Sequence, residues 1–214
     1  MNKGESIDFF NLMIERKHTL LPSDIQPKYS TIMFIRIEEH YVIPEYNYAS
    51  LCFYEKVFPA DNEDMKLIEM INRMYKYVKY DTDYDKWEKF YIKMEELCKL
   101  RFKNWMFEKG IKKIYNDEFP YCVEIFLNFI FRYDHGDRIT LKSITPIYIE
   151  EFFSDHVLRK VVLEPYEYVQ FPPAIKTFYM FLSEKEYLNN SVAIIDVLDK
   201  IEPHFVGILR NRFS

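Results

Sequence analysis

From residue 60 to residue 119 the chain contains no proline. An interval that long without the main helix breaker constrains the fold more than any other feature. Within it the apolar residues recur at helical spacing. In DNEDMKLIEMINRMYKYVKY, residues 61–80, Met65, Ile68, Ile71, Met74 (or Tyr75) and Val78 share one side, and the leading acids suit a helix N-terminus. In residues 81–110, Asp83 or Asp85 serves as cap, and Trp87, Phe90, Tyr91, Met94, Leu97, Cys98 and Trp105 mark a broad apolar side. Gly110 follows, where a left-handed residue closes a helix. A helix over 83–109 is about 40 Å long, at a rise of ~1.5 Å per residue.

The C-terminal half reads as four more helices. EFPYCVEIFLNFIFRY has Pro120 near its start and apolar residues on nearly every side, as expected of a central, buried helix. TPIYIEEFFSDHVLRKVV opens with Thr145 as N-cap and Pro146 at the first helical position. PPAIKTFYMFLSEKEYL again starts on proline. The last begins at Ser191, with Pro203 inside its pattern, where it kinks or splits the helix. ESIDFFNLMIERKHTLL reads as a helix. YSTIMFIRIEEHYVIP fits either a helix capped by Ser30 or a short β-hairpin within 29–43. The expected fold is mainly α: a multi-helix bundle with an N-terminal helical region, 1–115, and a C-terminal bundle, 116–214, packed as one compact unit.

The N-terminus is broken by Glu5, Asp8, Glu15, Arg16 and Lys17, so no signal peptide is expected, and no apolar run approaches a membrane span. The cysteines, Cys52, Cys98 and Cys122, are sparse and odd in number, as expected of reduced thiols in the cytoplasm. No GxGxxG, GxxxxGK[ST], GxSxG, HExxH or EF-hand pattern is present, and no metal or cofactor is expected.

Three places invite a chemical reading. FRYDHGDRIT sets Asp134, His135, Asp137 and Arg138 around Gly136, yet it lies where one helix stops and another starts, so a turn is expected. In EEFFSDHVLRK, Glu151 and Asp155 share a helix face, Asp155 is placed to pair with Arg159, and His156 borders an apolar stripe. A hydrolase-like enzyme would use His156 with Glu151 or Asp155, or His135 with Asp134. The third place is basic. Lys99, Arg101, Lys103, Lys109, Lys112 and Lys113 are opposed only by Glu108, a local net of +5 in a chain of net −5. With Phe102, Trp105 and Phe107 interleaved, residues 99–113 form a candidate polyanion-binding segment.

The stretch from about Phe119 to Phe213 resembles an uncharacterised bacterial helical domain that accompanies SEC-C-type zinc modules, through its FL helix, IEEFF…RK helix and PPAIKTFYMFL. The SEC-C cysteines are absent, so the resemblance implies no zinc. ITPIYIEEFF and AIKTFYMFLSEKEYL are similar to the helical core-binding domain of tyrosine recombinases, which implies DNA contact. The catalytic half is missing, and His204 and Arg210 stand six apart, not in an HxxR box.

A non-catalytic protein-interaction module is therefore the leading expectation. The 37 tyrosines and phenylalanines look surplus to one core, and Tyr166, Tyr168 and Phe171, in a proline-bracketed aromatic loop, are the candidate patch. The expected partner is a protein, with homo-oligomerisation left open. Nucleic-acid binding through 99–113 is the alternative, and a membrane is not expected.

Overall fold

A computed structural model describes residues 35–37, 40–42, 56–77, 84–111, 113–133, 139–189 and 191–213. The expected helix in residues 5–21 and the turn at 134–138 lie outside them. Helices dominate. They are α1 (Asn62–Tyr77), α2 (Tyr84–Glu108), α3 (Lys113–Arg132), α4 (Pro146–Glu151), α5 (Val157–Lys160), α6 (Pro165–Tyr168), α7 (Phe171–Glu184) and α8 (Val192–Phe213). Two three-residue strands, β1 (Ile35–Ile37) and β2 (His40–Val42), pair antiparallel with Ile35 opposite Val42.

The proline-free interval becomes α1 and α2. Leu67, Ile71 and Met74 bury one side of α1; Tyr91, Met94, Cys98, Phe102, Trp105 and Met106 bury one side of α2. Gly110, at φ 74°, ends α2, and the Ile111 N–H returns to the Met106 carbonyl at 2.9 Å. α7 ends in the same way on a non-glycine residue: Glu186 takes φ 62° and the Tyr187 N–H bonds the Leu182 carbonyl at 2.9 Å.

Two prolines stand inside helices. Pro120 lies inside α3, which already begins at Lys113. Pro203 lies inside α8 and does not end it. Each proline removes one N–H from the ladder, and packing of the remaining turns carries the helix through. The division expected at residue 115 also falls within α3, so both halves share a helix.

α1 packs on α2, α2 on α3, and α3 on α7; α8 closes the other side against α7, α4 and α6. α7 is enclosed on nearly every side, with Phe171 through Tyr179, Phe181 and Leu182 all buried. Its aromatics meet those of α2: Phe178 lies edge-on to Phe102 at 5.4 Å, and Phe181 is 5.7 Å from Trp105. Among the described residues, much of the aromatic richness is thus buried in this core.

Between α4 and α5 the helix passes through one π turn, Phe152–His156. The extra residue makes the spacing i to i+5. Phe152 and Phe153 are therefore followed on the core side by Val157 and Leu158, all four buried. Regular α spacing would have turned residue 156 inward.

Candidate functional site

The aromatic loop expected at residues 165–171 is not a loop. Residues Pro165–Tyr168 form α6, where the Glu164 N–H bonds the Glu167 carboxylate at 2.9 Å, and Phe171 opens α7. Tyr168 is buried, donates its hydroxyl to the Val161 carbonyl at 2.8 Å and stacks on Phe213. Phe171 is buried against Phe152. Tyr166 is half-buried and packs on the core. The proposed patch is corrected accordingly: two of its three side chains are core residues and present nothing to a partner.

The basic segment is largely neutralised by acids from elsewhere in the chain. Lys99 pairs with Glu95 at 3.0 Å and Glu124 at 2.5 Å, and Lys103 with Asp117 at 2.6 Å. Arg101 donates Nε to Asp64 at 2.7 Å and also pairs with Asp61. Lys109 is buried, pairs with Glu184 at 2.5 Å and donates to the Lys56 carbonyl at 2.6 Å. Lys112 and the Lys113 side chain lie outside the described residues. Four of the six cations therefore already hold carboxylates, and Lys109 is out of reach of a polyanion.

Arg101 and Lys109 belong to an ionic clasp that ties residues 56–64 to the end of α7. Lys185 reaches Asp64 at 3.1 Å and the carbonyls of Phe58 and Pro59 at 2.9 and 3.3 Å. Glu184 accepts from Trp105 Nε1 at 2.8 Å and from the Phe58 N–H at 2.9 Å. Asp61 and Asp64 each bond the other's backbone N–H, a reciprocal cap on α1. Burial opposes the charge on Asp64, but Arg101, the Asp61 N–H and Lys185 outweigh it, and the carboxyl sits below its usual range. Burial likewise opposes ionisation of Glu184, and Lys109, the Phe58 N–H and Trp105 overcome it. The clasp fills its own valences from within, which suits a structural role.

His156 sits among rings, edge-on to Phe129 at 5.0 Å and Tyr133 at 5.2 Å and stacked near Phe152. Asp155 turns to Arg159 at 2.8 Å instead. Of the two candidate carboxylates, Asp155 is thus engaged by Arg159, and Glu151 lies half-buried at the end of α4. His135 and Asp134 lie outside the described residues. An open groove of about 640 Å³ follows α1 past Met65, Ile68, Asn72 and Lys76. Among the described residues no second element brings a convergent polar group to it.

The remaining feature is the outer face of α2. Ile92, Leu100 and Phe107 are 44, 54 and 76% exposed. At 3.6 residues per turn, Ile92, Glu96, Leu100, Lys103 and Phe107 share an arc of roughly 80°, centred roughly 140° from the buried side. Tyr121, also exposed, stands beside this arc on α3, bracketed by the Lys103–Asp117 and Lys99–Glu124 ion pairs. Glu96 lies in the middle of the arc, exposed and with no ion-pair partner among the described residues. A solvent-facing helix surface is normally polar; this one is a stripe of large apolar side chains spaced with charges. Sequence reading noticed Phe107 only as part of the basic segment. Plotting α2 as a helix separates it from Phe102 and Trp105, which face the core.

No protein-family model matches the chain, and neither a curated protein nor a solved structure matches it. Among the described residues no helix is long and apolar enough to cross a membrane.

Proposed function

We propose that this protein works by binding another protein, through the outer face of α2, and not by catalysis. The observation that supports this reading is the exposed stripe Ile92, Leu100 and Phe107, with Phe107 76% accessible on a well-formed helix. Water-facing apolar area of this kind gains free energy when covered, at about 25 cal/mol per Å². Large apolar and aromatic side chains spaced with charges suit the core and rim of a protein interface. The nucleic-acid alternative is weakened because Lys99, Arg101, Lys103 and Lys109 all hold carboxylates within the chain. A cytoplasmic setting agrees with Cys98 and Cys122 as buried free thiols.

A photo-crosslinking amino acid placed at position 107 in the producing cell tests the reading, with Val162, 95% exposed between α5 and α6, as the control position. The expected result is a discrete protein adduct from position 107 that position 162 does not give. Position 107 giving no adduct, or the same adducts as position 162, overturns the reading.

A further inference from the structure

We infer that the occupant of the α2 face is a second copy of this chain, its α2 packed antiparallel to the first about a two-fold axis. The inference rests on the reading of that face as an interface and names its partner.

The argument is the order of side chains along the stripe. Ile92 and Phe107 lie equally far on either side of a midpoint between residues 99 and 100, and so do Glu96 and Lys103. Leu100 lies next to the midpoint. Turning a second α2 end over end about that point sets Ile92 against the partner's Phe107 and Glu96 against the partner's Lys103, each twice. It also sets Leu100 beside its own copy. A two-fold interface needs a surface that complements itself, and this stripe does so in both shape class and charge.

Parallel packing would set Glu96 on Glu96 and Lys103 on Lys103, which like-charge repulsion disfavours. The charge state of the free chain agrees. Glu96 has no ion pair among the described residues, whereas Lys103 is exposed and its partner there, Asp117, is more exposed still, so the Lys103 ammonium can bridge to a second carboxylate. The seam from residue 92 to residue 107 is about 22 Å long, at ~1.5 Å per residue, and Tyr121 on α3 widens it.

Sedimentation equilibrium on the full chain tests the proposal, with wild type, Glu96→Lys, Lys103→Glu, the double charge exchange and Leu100→Glu. The expected result is a wild-type dimer. Each single charge change puts two like-charge contacts into the dimer and weakens it about tenfold or more. The double exchange restores affinity to within about threefold, because opposite charges meet again. Leu100→Glu gives monomer. Thermal melts of the same variants confirm an intact fold, since all three side chains are exposed. Leu100→Cys is expected to form an intermolecular disulfide on mild oxidation, because the axis brings the two copies together there. A monomeric wild type up to about 100 µM, a concentration that a weak dimer would already populate, overturns the proposal. So does a dimer in which the double exchange is no better than either single change. If the wild type is monomeric and position 107 still crosslinks to a different protein, the second-copy inference fails and the interface reading stands.

Discussion

Replacing Asp64 by alanine is the sharpest test of how the N-terminal helices are held. The Asp64 side chain is 1% exposed and receives three donors: Arg101 Nε at 2.7 Å, Lys185 Nζ at 3.1 Å and the Asp61 N–H at 3.1 Å. Without the carboxylate, Lys185 keeps only carbonyl partners while its own side chain is 5% exposed. Breaking a buried ion pair from one side costs about 3–5 kcal/mol, chiefly through the cation left behind. In a chain of this size that corresponds to a fall in Tm of about 6–20 °C. Arg159→Ala breaks the exposed pair with Asp155 and is expected to cost at most about 1 kcal/mol. Urea titration followed by circular dichroism at pH 7 measures both. The double variant Asp64→Ala with Lys185→Met should recover part of the loss, because no ammonium then remains buried. If Asp64→Ala costs no more than Arg159→Ala, or the double variant is the sum of its parts, the reasoning from buried charge is wrong.

The same carboxylates set the response to acid. Asp64 and Glu184 have folded-state pKa values held below their unfolded values of about 3.9 and 4.3. The stability they contribute is therefore complete above those unfolded values and is lost as pH falls through the folded ones. Unfolding free energy measured between pH 7 and pH 2.5 should drop most steeply below about pH 4. Asp64→Asn should flatten that limb, and an unchanged limb would count against the assignment. The thiols give an independent check on the core. Burial pushes both Cys98 and Cys122 upward in pKa and closes them to reagents. In a Cys52→Ser background, a thiol reagent at pH 8 should label neither in the native protein and both in urea; native labelling of either would show that the helix packing around it opens.

What could be read from the sequence was whatever depends on near neighbours. The apolar spacing of residues 61–80 and 83–109 led directly to α1 and α2, and Gly110 and Thr145–Pro146 marked real helix ends. What could not be read depends on partners far along the chain. The +5 segment looked free because most of its carboxylates, Asp61, Asp64, Glu124 and Glu184, come from far along the chain, and only Glu95 and Asp117 lie just beyond its ends. Tyr168 looked like a surface residue because prolines flank it. A carbonyl at Val161 and a ring at Phe213 instead let it be buried with its hydroxyl satisfied. Pro120 reads as a start signal, since proline favours first turns, but that preference does not forbid an interior position when packing supports the helix. The α2 stripe was in principle legible: its residues share one arc, and only the charge count drew attention away from it.

The clasp also has a consequence in time. Its bonds from Phe58 to Glu184 and from Lys185 back to Phe58 join residues 126 and 127 positions apart. A contact of that span rewards the chain only after the loop between has closed, and closure is cheap only once α2, α3 and α7 have found one another. The clasp is therefore among the last parts of the molecule to assemble on the way to the native state. Groups that lock after the folding barrier has been crossed do little for the rate of folding and much for the rate of unfolding. During synthesis, Asp64, Arg101 and Lys109 leave the ribosome well before Glu184 and Lys185. Until the end of α7 emerges, α1 and α2 hold part of the clasp's charge without its counterpart, and the last turn of α7 then fastens residues 56–64.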